Sequence, residues 1–499
     1  MTERLDMTRR AFVGSLAVAG LTAAAADDGW VELFDGHSLN GWRPSENKAS
    51  WTVVNGQLAA DGPRSHLFYD GPVHGANFRN FELEVDTMAR PLCNSGVYFH
   101  TAYQETNFPQ KGFEVQIANT ATGDNGYLER KKTGSLYGLR NVYKQLIADD
   151  QWYKIHVLVR GKSVQVRLNG MLVVDYVEPT PPVIPDGGER ERFLDRGTFA
   201  LQCHNDGSKA FFRSVRVRPM PDNTPTPAGP APVVDDVFRQ IINVGRHNIP
   251  MVDFHVHLKE GLTMEAALEK SRRDGIFYGI AVNVGKGFPV ENDAGVRSFL
   301  ESMKGQPVFI AMQAEGREWM QMVSRSSVVG FDYIFTDSMT WTDNSGRRMR
   351  LWLPEEVGEI ADPQGFMGQL VERTVGILEK EPIDIYVNPT FLPDVIAKDY
   401  DRLWTEERMK KVIDAARRNG VAIEINNRYK LPSPAFIRLA KQAGCKFTFG
   451  TNNTSPADLG RCEYGLRMVD ECKLVWQDFF VPGAWGPKAV DRKPEALKG

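Results

Sequence analysis

Three short runs in the first half of the chain alternate apolar and polar residues in the same phase: Asn94-Ser-Gly-Val-Tyr-Phe-His100, Gly112-Phe-Glu-Val-Gln-Ile117 and Phe199-Ala-Leu-Gln-Cys-His204. Successive side chains of a strand point to opposite faces. Val97 and Phe99, Phe113, Val115 and Ile117, and Phe199, Leu201 and Cys203 are therefore expected to share a buried face. Tyr98, His100, Glu114, Gln116, Gln202 and His204 then fall together on the other face. A lone glutamate on an outer sheet face is ordinarily just solvated. Here the Glu114 carboxylate is in phase with carboxamides, imidazoles and a phenol, and convergent polar groups on one face mark a candidate site. That set of groups suits the binding or cleavage of sugars. Asn94 and Ser95 open the first run and either cap a turn or reach a ligand. In Arg130-Lys-Lys-Thr-Gly-Ser-Leu-Tyr137, Lys132, Ser135 and Tyr137 lie on a glycine-containing loop at the rim, where the lysines are expected to be solvated.

A second constellation is Val252-Asp-Phe-His-Val-His-Leu258. His255 and His257 are two residues apart, so both leave a strand on the same side, as two ligands of one metal must. The structural alternative is a satisfied histidine pair with no ligand. The run opens a series of β-α units, in which the C-terminal rim of the strands is the usual place for catalysis.

The elements that must position these groups differ in the two halves. From Trp30 to Val217 there are many short strand-like runs, among them Trp51-Thr-Val-Val, Phe81-Glu-Leu-Glu-Val, Tyr153-Lys-Ile-His-Val-Leu-Val, Val164-Gln-Val-Arg-Leu and Met171-Leu-Val-Val. Turn signals such as Asn55-Gly56 and Asn169-Gly170 separate them. This pattern predicts an antiparallel β-sandwich of jelly-roll type over residues 29–218. Residues 219–234 are dense in proline and read as an extended, semi-rigid linker. Over 235–480, strands alternate with helices. The strands are expected at Met251–His257, Tyr278–Val284, Val308–Gln313, Tyr333–Thr336, Ile383–Val387, Val421–Ile425 and Lys446–Phe449. Amphipathic helices are expected at Thr405–Asn419, Pro434–Ala443 and Asp362–Lys380. Parallel strands follow, in a closed barrel or an open doubly wound sheet, and residues 481–499 are read as a tail.

A chain of 499 residues exceeds one core and implies two or three domains. The net charge of −3 gives no reason to expect nucleic acid or an anionic membrane as partner. Residues 1–26 read as an export signal: Arg9-Arg10 precedes an apolar run from Ser15 that ends in alanines, too short to span a membrane. The paired arginines resemble a twin-arginine signal, so a periplasmic or secreted protein is expected. The five cysteines show no Cys-x-x-Cys spacing, and buried free thiols are expected rather than a zinc ribbon or redox pair.

Several runs carry a family resemblance. Phe34-Asp-Gly-His-Ser-Leu-Asn-Gly-Trp42, Asn94-Ser-Gly-Val97, Gly112–Ile117, Thr133-Gly-Ser-Leu-Tyr-Gly138, Leu201-Gln-Cys-His204 and Phe211-Phe-Arg-Ser-Val-Arg-Val217 resemble the 3-keto-disaccharide hydrolase family, also called the 3-keto-glucoside 1,2-lyase/3-keto-2-hydroxyglucal hydratase domain. The resemblance implies a concanavalin-like jelly roll acting on glycosides already oxidised at C3. A C3 ketone acidifies the C2 hydrogen; a base removes it, the bond from C1 to the aglycone breaks by β-elimination, and water added back completes a net hydrolysis. Such chemistry needs a base, a donor to the enolate oxygen and an acid for the leaving group. Glu114 and His204 are the candidate base and acid, in either order, with Asn94, Tyr98, His100, Gln116, Tyr137 and Gln202 as substrate contacts. A metal could instead polarise the ketone. No Glu-x-Asp-x-x-Glu strand is present, which ranks an ordinary two-carboxylate glycosidase lower.

The His255-x-His257 run resembles the opening of the polymerase-and-histidinol-phosphatase family of metallohydrolases, which implies a barrel of seven or eight β-α units. That resemblance implies metal roles for Glu315 in Ala311-Met-Gln-Ala-Glu315 and for Asp337 in Phe331-Asp-Tyr-Ile-Phe-Thr-Asp337, and Asp253 as a partner of a ligand histidine. Asn388, Asn452 and Thr454 stand where the family has metal ligands, so a trinuclear site looks broken. His255, His257, Glu315 and Asp337 suffice at most for one divalent ion. The second reading of the chain is therefore a sugar-binding sandwich that serves a metal-dependent hydrolase barrel.

Overall fold

The computed structural model describes residues 28–120, 123, 127–184, 191–342, 346–484 and 486–497. The export signal expected at residues 1–26 lies outside them. Among the described residues no helix is long and apolar enough to cross a membrane.

The first half is a sandwich of two antiparallel sheets. In the larger sheet the strands lie in the order Met171–Val177, Ser163–Leu168, Tyr153–Arg160, Asn80–Ala89, Lys209–Met220, Gln57–Asp61, Trp51–Val54, with Val31–Glu32 paired to Lys209–Met220. Strict alternation builds it: in Tyr153–Arg160 every second residue is buried and the others reach outward. The smaller sheet has the order Trp42–Pro44, Ser65–Tyr69, Thr198–Cys203, Ser95–Thr101, Phe113–Ile117. Its last four strands are buried at every position. One face carries Val97, Phe99, Phe113, Val115, Phe199 and Leu201 into the core against Phe81, Leu83, Val85 and Val157. The other face lies under loops and under the second half of the chain, so its polar residues are enclosed rather than solvated.

The second half is a closed barrel of seven parallel strands: Val252–His257, Phe277–Val284, Phe309–Ala314, Tyr333–Thr336, Ile385–Tyr386, Ala422–Asn426 and Phe447–Gly450. Each falls within a residue or two of its expected span, and closure decides against the open sheet. The three expected helices are present at Pro363–Lys380, Glu406–Arg418 and Pro434–Gln442, started by Asp362, Thr405 and Ser433, whose side chains accept from backbone N–H groups of the first turn. The short helix Ala489–Arg492 packs back on the barrel, with the Ala489 N–H donating to Asp384 Oδ1. All five cysteines are buried free thiols.

The halves interlock. Helix Asp236–Arg246 places Phe238 and Ile242 in the sandwich core and Ile241 and Val244 in the barrel core. The buried Arg140 guanidinium donates to the carbonyls of Arg272 and Arg273, both at 3.0 Å, neutralising the last turn of helix Met264–Asp274. Lys144 donates to Val308 O (3.0 Å) and Asp332 Oδ2 (2.7 Å). The proline-rich stretch also runs over the sandwich: Asn80 Nδ2 donates to Pro221 O (2.9 Å), and the Lys162 N–H to Thr226 Oγ1 (2.9 Å).

Candidate functional site

The enclosed face of the smaller sheet opens into a cavity of about 390 Å³. Asn94, Tyr98, Glu114, Gln116, Tyr137, Gln202 and His204 all line it. Register accounts for the grouping: Tyr98 pairs with Glu114, Gly96 with Gln116, and Ala200 with Tyr98, so side chains of one phase on three strands share one face. Gly96 is what gives the carboxylate room. A Cβ there would stand 2.9 Å from Glu114 Cγ and 3.1 Å from its carboxyl carbon.

Hydrogen bonds hold these groups in place. Gln202 Nε2 donates to the Tyr98 hydroxyl (2.9 Å), while the buried Gln202 Oε1 has no partner. With its nitrogen toward the acceptors, the Gln116 carboxamide donates to Ser95 O (3.0 Å) and Glu114 Oε1 (3.2 Å). His204, half-buried just past its strand, has Nδ1 2.9 Å from Asn205 Oδ1 and stacks obliquely on Phe108, with ring centroids 5.1 Å apart. Ser95 serves the sheet, its hydroxyl donating to Gln202 O (2.6 Å).

His100 is a correction. Its backbone is left-handed, with φ +54°, which ends the alternation and turns the ring away from the cavity. The ring packs against the core residue Phe81, Nε2 lies 2.9 Å from Arg79 O, and Nδ1 accepts from the Asp195 N–H (3.3 Å). Burial lowers its pKa to about 4. The rim lysines are a second correction. Lys131 is fully buried, its ammonium 3.0 Å from Glu129 Oε1, and Lys132 Nζ donates to Thr120 O (2.8 Å). Ser135 is likewise internal, bonded to Lys132 O (2.7 Å).

Several residues in or behind the cavity wall escaped the sequence reading. His66 faces Gln202 across the strand pair, 3.4 Å away, and meets Tyr98 edge-on. Burial, with the nearby His204 and Arg64, pushes its pKa down to about 3, so the ring is neutral. Its strand, Ser65-His-Leu-Phe-Tyr69, is apolar on both faces around His66, which erased the period. Glu129 accepts from the hydroxyls of Tyr137 (2.8 Å) and Tyr127 (3.0 Å). Burial opposes its charge, yet Lys131, a backbone N–H and Tyr137 outweigh that and hold the carboxyl below its ordinary pKa. Burial and Glu129 push the Tyr137 phenol well up. Arg192, Arg246 and His247 complete the lining; the last two come from the barrel half, far away in sequence.

In the barrel, His255 Nδ1 lies 2.6 Å from Glu424 Oε1 and His257 Nδ1 3.1 Å from Ala281 O. Both Nε2 atoms are buried without a partner. Glu315 accepts from Asn283 (2.7 Å), and burial with the neighbouring Asp337 raises its pKa to about 8. Asp337 accepts from Asn388 (2.8 Å) and the Met339 N–H (2.9 Å), and burial raises its pKa too. Asp253 accepts from Thr451 and from the His255 N–H. Among the described residues no three His, Cys, Asp or Glu groups converge as a metal site requires. His255, His257, Glu315 and Asp337, the ligands expected from the sequence, all lie buried in the barrel. Asn283 and Asn388 donate to the two carboxyls, and the His255 and His257 rings stand 5.3 Å apart, centroid to centroid.

Comparison with known proteins bears on the first half. Residues 29–218 match the 3-keto-alpha-glucoside-1,2-lyase-like domain family. A 3-keto-disaccharide hydrolase from Bacteroides thetaiotaomicron is 30% identical over 95 residues, 18% of this chain and 32% of the relative, so the chain spans about a third of that relative's length. Among solved structures, a protein proposed to be a glycosyl hydrolase from Parabacteroides distasonis aligns with 39% of this chain and 94% of its own at 22% identity, TM-score 0.32. A carbohydrate-binding module from Bacillus subtilis aligns with 35% of this chain and 94% of its own at 16% identity, TM-score 0.24.

Proposed function

We propose that this protein is an exported enzyme that cleaves glycosides already oxidised at C3, with Glu114 and His204 as the proton-transfer pair. One observation carries the reading: a carboxylate on one strand and an imidazole just past the end of another line the same cavity among carboxamides and phenols. The match of residues 29–218 supports the reaction class, and Arg9-Arg10 with its apolar run supports export.

One of the pair takes the C2 proton, and the electrons of the C–H bond become the enolate of the C3 ketone. As the enolate collapses to a C1–C2 double bond, the C1–O bond to the aglycone breaks and the leaving oxygen receives a proton from the other partner. Water then adds at C1 as C2 is reprotonated, so the net change is hydrolysis. Gln116 beside Glu114 orients the carboxylate. The Tyr98 hydroxyl and Gln202 sit where they can hold sugar hydroxyls or the enolate oxygen.

The test is turnover of a chromogenic 3-keto-glucoside by the purified full chain. Glu114→Gln is expected to lose about 10²-fold or more in kcat. Unchanged activity in that variant removes the site assignment, and no turnover of any 3-keto sugar by the wild type removes the reaction class.

A further inference from the structure

The cavity is not built by the sandwich alone. Its wall is completed by Arg246 and His247, the last residue and the C-cap of the helix that leads into the barrel. The residue after them, Asn248, is buried and ties the halves together at the site. Its Oδ1 accepts from the Arg130 N–H (3.1 Å) and from Lys131 Nζ (3.3 Å), and its Nδ2 donates to Leu128 O (2.8 Å). These bonds clamp the segment Leu128–Lys131, which carries Glu129 into the cavity and, through Glu129, holds the Tyr137 hydroxyl. Asn248 sits at φ +64°, a conformation asparagine tolerates better than most residues.

The cavity is also polarised. Its floor, formed by Tyr98, Glu114, Gln116 and Gln202, is almost entirely enclosed, whereas Arg246 is half-buried and His247 exposed. On the more exposed side of the lining Arg246 and His247 stand with the half-buried Phe108 and His204, so a leaving group directed there from a ring over Glu114 meets a guanidinium and an imidazole. Those are hydrogen-bond donors that match an oxygen-rich aglycone such as a second sugar, not a small alkyl group.

Resting on the reading of this cavity as a 3-keto-glycoside site, we propose that the barrel half is part of that site: Arg246 and His247 recognise a hydroxylated aglycone, and Asn248 is a positioning residue that sets Glu129 and Tyr137. The barrel then contributes specificity to a reaction carried out on the sandwich.

The test uses the full chain in two arms. In the first, kcat/KM is measured for a 3-keto-disaccharide and for methyl 3-keto-glucoside. Arg246→Ala and His247→Ala are each expected to lower the disaccharide-to-methyl ratio several-fold, up to about tenfold, the effect of one lost hydrogen bond. A ratio unchanged in both variants overturns the aglycone assignment. Arg239→Ala, an exposed change on the same helix, is the control expected to leave the ratio alone. In the second arm, hydrogen exchange is followed in Asn248→Gly, where glycine keeps the left-handed backbone without strain. Exchange across residues 128–137 is expected to rise; an unchanged pattern overturns the positioning role whatever the substrate. If the wild type turns over neither glycoside, the functional reading falls and takes the aglycone assignment with it, and the exchange arm alone decides the tether.

Discussion

Replacing Gly96 by alanine tests the geometry of the site with a single methyl group. The added carbon would stand 2.9 Å from Glu114 Cγ and 3.1 Å from its carboxyl carbon. Carbon atoms in contact prefer about 3.5–4.0 Å, so the Glu114 side chain must move by roughly half an ångström or more. Gly96 lies within a strand and outside the left-handed region, which leaves sterics as the main cost. Two consequences follow. Overpacking of this kind costs about 1–3 kcal/mol, and the carboxylate has a cavity to swing into, so the protein stays folded. A misplacement approaching 1 Å at the reacting centre is worth about 10²-fold in rate. The assay is kcat on a 3-keto-glucoside beside thermal unfolding of the same preparation. The expected outcome is a folded protein with kcat down by one to two orders of magnitude. A folded Gly96→Ala variant with kcat within about twofold of wild type (under 0.5 kcal/mol) would refute the argument that the position of Glu114 matters.

Two further outcomes follow from the structure. His66 titrates near 3 when folded against an ordinary 6.5, so the unfolded chain binds the extra proton first. Stability should therefore fall as pH drops from 6.5 toward 3, by up to about 1.4 kcal/mol per pH unit. His66→Gln should flatten that decline in urea titrations across the window, and an identical slope in the variant contradicts the assignment. The His255 and His257 Nε2 atoms, buried without a partner, predict one divalent ion per chain in elemental analysis of the wild type, lost in His255→Ala; an ion-free wild-type chain contradicts a metal site there.

Much of the architecture was legible in the sequence because each level spoke with one period. The barrel strands are short apolar runs between amphipathic stretches, and the three expected helices begin within a residue or two of where the structure starts them, after Asp362, Thr405 and Ser433. The site was legible where alternation persisted, as in Phe113–Ile117. It failed where something local or distant intervened. At His100 a left-handed residue broke the phase. At His66 both faces of the strand are covered, so no alternation survived. Lys131 reads as a surface lysine until Glu129, two residues back, is seen to be buried with it. Arg246 and His247 reach the cavity only because the barrel packs on the sandwich, which no local pattern encodes.

The central claim is that cleavage proceeds through loss of the C2 proton to a base on the sandwich. The most direct measurement is a brief reaction of the wild-type full chain with a 3-keto-glucoside in D₂O, with an enzyme-free blank, and analysis of the product at C2. The account predicts either deuterium at C2 of the released 3-keto sugar or accumulation of 3-keto-2-hydroxyglucal, both lost in Glu114→Gln. Release of the aglycone with protium retained at C2 would contradict it.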